Sequence, residues 1–181
     1  MIRSSDDVLR FWFVEHGEAD WFGAKPEFDA EIARLFSDTL VAASAGDTAH
    51  WRQTPGGRLA EIIVLDQFSR QIHRGDAKAF ATDPRALTSA EAMVAAGDDM
   101  RLEPRRRMFG YLPFMHSESI AVHERALPLF ERLGMPDFLK HEHGHLDCLK
   151  RFGRYPRRNA ALGRPSTPEE IAYINSGDGM Y

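Results

Sequence analysis

The chain has 181 residues, with 23 Lys and Arg against 27 Asp and Glu and one cysteine, Cys148. That length supports one domain, 1–181, whose core needs neither disulfide nor structural metal, and a lone cysteine excludes an internal disulfide. No apolar run approaches a membrane span and the N-terminus carries Asp6 and Asp7 where a secretion signal would be basic, so the expectation is a soluble cytoplasmic protein without membrane contact.

The charge is unevenly spread. Residues 1–100 carry 10 basic against 17 acidic side chains, residues 101–164 carry 13 against 7, and the rest carry none against 3. A basic stretch of this kind attracts phosphates or carboxylates, but an acidic remainder disfavours general nucleic-acid binding, and none is expected.

In chain order, a capping serine near Ser5 opens a short helix bearing Val8, Leu9, Phe11, Trp12 and Phe13, which Gly17 ends. Trp21 and Phe22 follow in a connector and are expected to plug the core. Pro26 suits the first turn of a helix whose apolar positions Phe28, Ile32, Leu35, Phe36 and Leu40 recur at helical spacing up to Gly46. Thr54-Pro55-Gly56-Gly57 reads as a turn. The central stretch Leu59–Arg74, LAEIIVLDQFSRQIHR, then places Leu65, Phe68 and Ile72 on one helical face and Asp66, Arg70 and His73 on another.

Asp83-Pro84 reads as a cap and first-turn proline for a helix reaching Gly97. Pro104 starts a short helix that Pro113 should interrupt, and Ser117 with Glu118 should begin a longer one, kinked by Pro128. Asp137 is expected to cap a helix stopped by Gly153. A basic loop, RYPRRNAALGRP, leads to Thr167-Pro168-Glu169-Glu170, a capping box with proline at the first helical position. No stretch sustains period-two alternation. The fold class is therefore all-α, a stack of antiparallel helical hairpins without regular sequence repeats.

Three constellations carry possible chemistry. His141-Glu142-His143-Gly144-His145 matches H-E-x-x-H, in which two histidines one turn apart hold zinc and the glutamate acts as base, with Glu169 or Glu170 as a third ligand. Against it, Glu142 and His145 fall on the apolar stripe of Phe138, Leu149 and Phe152, so His145 reads first as a core imidazole and no metal or cofactor is expected. His116-Ser117-Glu118, at an expected helix N-terminus, offers an anion site or simply a cap. Arg151, Arg154, Arg157 and Arg158 offer guanidinium forks for a carboxylate or phosphate, unless acids such as Asp66 and Asp83 neutralise them. Asp66 with Arg70, at i,i+4, reads first as an ion pair.

The segments VLRFWF, LAEIIVLDQFSRQIHRG, FGYLPFMHSES and RFGRYPRRNAALGRPSTPEE, in this order, resemble the signature segments of a bacterial family known as domain of unknown function 924. The resemblance spans nearly the whole chain and implies an α-helical domain similar to tetratricopeptide-repeat folds. It also implies that the family's characteristic polar positions fall on Asp66, Gln67, Arg70, Asp83, His116, Ser117, Glu118, His145, Arg154, Arg157 and Asn159. Here Ser69 replaces the family's usual proline and Gln71 its asparagine. Glu61 replaces an apolar residue in a helix read as buried, so it needs an arginine partner or a solvated end.

The expected function is a helical binding module in which Arg70, Arg154 and Arg157 grip an anionic small molecule or peptide carboxylate, His116 and His145 donate, and Asp66 with Gln67 orient. A protein partner is compatible with the same reading. Two rivals remain: a metal-dependent hydrolase on His141, Glu142 and His145, and a structural domain whose polar set only fixes packing. Oligomeric state is not readable.

Overall fold

The computed structural model describes residues 1–177. Every regular element among them is helical: α1 (Ser5–Arg10), α2 (Glu18–Trp21), α3 (Pro26–Ala45), α4 (Pro55–Ile63), α5 (Ser69–Ile72), α6 (Asp83–Ala95), α7 (Pro104–Met115), α8 (Ile120–Leu133), α9 (Pro136–Phe152) and α10 (Pro168–Asn175). Two wide π turns, Phe11–Glu15 and Val64–Phe68, continue α1 and bridge α4 to α5. No described helix is long and apolar enough to cross a membrane.

Local chemistry sets most ends. Pro26 sits in the first turn of α3, and Gly46 closes it at φ +96°, where a side chain would be strained. In α10, Thr167 and Glu170 form the expected reciprocal capping box. Several boundaries differ from expectation. The first cap is Ser4, paired with Asp7. Trp21 belongs to the short α2 and is buried, as a core plug should be, but Phe22 is exposed. Thr54-Pro55-Gly56-Gly57 is no turn: Thr54 caps Gly57 N–H and Pro55 opens α4. Gly57 is required there, because a Cβ would collide with the Trp51 carbonyl.

Further corrections lie downstream. Thr82, not Asp83, is the cap residue of α6, and its hydroxyl donates instead to the Leu65 carbonyl. Pro113 lies inside α7 rather than ending it. Ser119 precedes α8, so neither Ser117 nor Glu118 opens that helix, and the anion site expected on its first N–H groups lacks its premise. Met135 precedes α9, with Asp137 already in its first turn.

By contacts the described chain divides into two compact units. The first comprises Met1–Arg74 and Lys78–Pro113. Its core is aromatic: Trp12 is wholly buried, stacks on Trp21 at 5.6 Å and meets Phe68 and Phe109 edge-on at 5.5 and 5.4 Å. Such pairs add about 0.5–1.5 kcal/mol each beyond area burial. Ile62, Ile63, Val64 and Leu65 are wholly buried too, as the apolar start of the central stretch demands.

The second unit comprises Gly75–Ala77 and the chain from Phe114 onward. Here α8 and α9 pack together across the connector Gly134–Met135, with Gly134 left-handed at φ +72°. Cys148, Leu149 and Tyr155 form a small apolar cluster, extended by Phe152 and Tyr173.

Candidate functional site

Within the first unit, α3, α4, α5 and α6 line an open cavity of about 870 Å³. Four cationic side chains line it, Arg52, Arg58, Lys78 and Arg85, together with His73. No Asp or Glu does. The remaining lining alternates hydroxyls, such as Ser44 and Thr88, with apolar groups, such as Leu40 and Val41.

The floor is organised by Glu61, whose side chain is wholly buried. Arg52 holds it with a two-pronged contact at 2.7 and 3.0 Å, while the Thr48 and Ser89 hydroxyls donate to it at 2.8 and 3.1 Å. This is the arginine partner that the acid's burial requires, since an unpaired buried carboxylate would be costly. The bond to Glu61 raises the Arg52 pKa further, against the opposing pull of burial. Gly57 permits this contact indirectly, because it lets the Ala49–Gln53 turn that carries Arg52 lie against the start of α4.

The other two arginines are less committed. Arg58 lies 3.4 Å from Asp98 and donates to the Arg52 carbonyl at 3.1 Å. Arg85 is exposed and its side chain makes no hydrogen bond or ion pair among the described residues. Its guanidinium rests against Gly46, 3.1 Å from where a Cβ would stand. The wide turn at Val64–Phe68 shifts the helix ladder just before Ser69, Ile72 and His73 reach the lining, and such turns recur at functional sites.

His73 and Ser69 of the central stretch line this cavity, but none of the polar positions expected to bind a ligand does. In the first unit they form a network beside it. Arg70 bridges Asp83, at 2.8 and 3.0 Å, to Asp66, at 3.0 Å, and Gln67 donates to Asp66 at 2.6 Å. The Asp66–Arg70 ion pair expected at i,i+4 is present, extended by Asp83 to tie α6 to the central stretch.

In the second unit the remaining positions come together around α9 and the basic loop. Arg164 grips Glu118 at 2.8 and 3.0 Å, and the Tyr155 N–H donates to the same carboxylate at 2.7 Å. Burial works to raise the Glu118 pKa, yet these donors together hold it low. Arg154 closes on Glu170 at 2.6 and 2.8 Å, and Asn159 joins Glu170 to Ser166 and Arg164. Arg154 and then the Thr167 N–H bring the Glu170 pKa down to about 2. Arg157 donates to the Ile174 carbonyl at 3.2 Å, and the His116 carbonyl accepts from Arg158 at 2.7 Å.

Sequence reasoning missed the centre of this cluster, His123. It is wholly buried, with Nδ1 2.6 Å from Glu142 Oε1 and Nε2 2.8 Å from the Ser117 carbonyl. A carbonyl only accepts, so Nε2 carries its hydrogen and one proton lies in the Nδ1···Oε1 contact. Glu142 Oε2 is buried without a hydrogen bond. The glutamate of the H-E-x-x-H pattern is thus engaged by a histidine outside it. His145 Nδ1 donates to the His141 carbonyl at 2.8 Å, and burial, despite that bond, lowers its pKa to about 3. Among the described residues no three His, Cys, Asp or Glu side chains are grouped to hold a metal ion. Burial raises the Cys148 thiol pKa, which disfavours a reactive thiolate.

A solved structure described as a protein of unknown function, ATU0120 from Agrobacterium tumefaciens, is similar to this chain. The two share 38% identity and a TM-score of 0.90, over 96% of this chain and 97% of the other. No curated protein matches. The family model for a bacterial protein of unknown function, DUF924, matches residues 8–178, and the chain belongs to that family.

Proposed function

We propose that this protein is a helical binding module for a small anionic molecule, with the cavity of the first unit as its site. The observation that carries the reading is the lining itself: four cations and a histidine without one carboxylate. Glu61 offsets Arg52 and Asp98 lies near Arg58, so Arg85 supplies the least committed positive charge at the rim. The volume falls within the roughly 300–1,000 Å³ usual for small-molecule sites. A single cysteine is in keeping with a cytoplasmic setting. The α8–α9 hairpin is of the kind that tetratricopeptide-like folds stack.

A second reading applies to the polar set of the second unit, favoured by the closed Arg154–Glu170 and Arg164–Glu118 forks. That set fixes helix packing rather than holding a ligand. Isothermal titration with phosphates and carboxylates tests both readings. Losing an arginine contact to an anion should weaken binding by roughly 10- to 100-fold. Arg85→Ala is expected to do so, while Arg154→Ala leaves affinity unchanged. Absence of any anion binding at millimolar concentration, or loss of binding in Arg154→Ala alone, overturns the cavity assignment.

A further inference from the structure

Six hydroxyls line the cavity, and the direction of each hydrogen bond they make is fixed by the partner. Ser44 donates to the Leu40 carbonyl at 2.7 Å, Thr88 to the Pro84 carbonyl at 2.9 Å, and Ser69 to the Lys78 and Ala79 carbonyls at 3.2 Å. Ser37 and Thr82 likewise donate to the Ala33 and Leu65 carbonyls, and Ser89 donates to the Glu61 carboxylate. Every partner is an acceptor. A hydroxyl has one hydrogen and two lone pairs, so all six hydrogens are spent on the protein and only lone pairs remain for an occupant. The cations offer only donors. The cavity therefore presents two chemistries: donors at Arg85, and acceptors at the hydroxyls.

We propose that the occupant is a hydroxylated anion, the class of sugar phosphates and sugar acids. The inference rests on the anion-binding reading above and narrows it. An anionic end meets Arg85, and neutral O–H groups along the body donate to the hydroxyl lone pairs. An ammonium could also donate, but the lining holds no carboxylate to receive it. Of the acids behind the wall, Glu61 already accepts from Thr48, Ser89 and both prongs of Arg52, and Asp98 is held by Arg58 and Arg101. Amino acids and peptide N-termini are thereby disfavoured. A nucleobase is disfavoured too, because no Phe, Tyr or Trp lines the cavity for it to stack upon. Leu40, Val41 and Pro84 offer carbon surface of the sort that a sugar's C–H face can cover.

The test is titration calorimetry on the full chain with five probes: glucose 6-phosphate, gluconate, butyl phosphate, pentanoate and glucose. The hydroxylated anions should bind at least tenfold tighter than their alkyl counterparts, and glucose alone should not bind measurably. Preference for glucose 6-phosphate or for gluconate tells phosphate from carboxylate as the anionic end. Equal affinity for glucose 6-phosphate and butyl phosphate would overturn this inference while leaving the anion reading intact. Binding by none of the four anions would overturn both.

Thr88→Val supplies the second arm. Thr88 is exposed, and valine keeps its shape while removing the acceptor. It should weaken glucose 6-phosphate about fivefold, one hydrogen bond's worth, and leave butyl phosphate unchanged. An equal loss for both ligands would mean that the hydroxyls are not read.

Discussion

In the second unit, Arg154 and Arg164 each close both prongs on a carboxylate, and the buried His123 meets one oxygen of Glu142 through Nδ1. At the cavity of the first unit Arg52 is closed in this way, on Glu61, while the Arg85 side chain has no acid partner among the described residues. The residue types are alike in the two regions, and the difference lies in whether positive charge is matched. Matched charge is bound into the fold. Unmatched charge around a concave surface is available to a ligand, so the density of arginine and histidine in a stretch of sequence says little about which of the two it will become.

The largest effect is expected at His123. Its replacement by alanine leaves Glu142 buried with both oxygens unpartnered, since Oε2 already makes no hydrogen bond. Removing one member of a buried pair costs roughly 3–5 kcal/mol. His123→Ala should lose that much in urea unfolding. A loss below about 1 kcal/mol, the scale of an exposed pair, would show that the cluster is not what holds the second unit together.

A smaller effect is set by acidity. His145 carries a folded pKa of about 3 against an ordinary 6.5, chiefly through burial, with His116, His123 and Arg158 adding positive charge nearby. The unfolded chain therefore takes up a proton first as pH falls. Stability from this residue is complete above pH 6.5 and is lost progressively down to about pH 3. Between pH 7 and pH 5 the loss is about 2 kcal/mol at most. Urea unfolding of the native chain and of His145→Gln at the two pH values should show the variant losing correspondingly less. Parallel losses would mean that other groups set the acid limb.

Much of the fold was legible because it rests on local chemistry. Pro26 and Gly46 bound α3, Thr167 and Glu170 box the start of α10, and a buried Glu61 called for an arginine that proved to be Arg52. Ends failed where a side chain had a better use elsewhere. Asp83 looks like a cap but serves Arg70, and Glu118 looks like a first-turn acid but takes Arg164 and the Tyr155 N–H.

The cavity was illegible for a related reason. Ser44 and Thr88 bond four residues back along their own helices, as exposed hydroxyls in any helix do, and Arg85 resembles an ordinary solvated charge. Only the packing of α3, α4 and α6 makes these positions concave, and no local pattern encodes that. The conspicuous RYPRRNAALGRP stretch drew notice through residues that the fold consumes.

The smallest effects separate the two regions most cleanly, at the two arginines Arg154 and Arg85. Glu170 owes its pKa of about 2 first to Arg154, so the stabilisation is present above its ordinary 4.5 and fades as pH falls towards 2. Arg154→Ala should lower the melting temperature at neutral pH and reduce the fall between pH 4.5 and 2, because the advantage of the ionised form has largely gone. Arg85→Ala should do neither. Its side chain is exposed and makes no hydrogen bond or ion pair among the described residues, so the change in stability should stay within about 0.5 kcal/mol at every pH. Differential scanning calorimetry of both variants decides the point. A destabilised Arg85→Ala would mean that its charge, too, is spent on the fold, and the cavity would lose the cation on which its reading most depends.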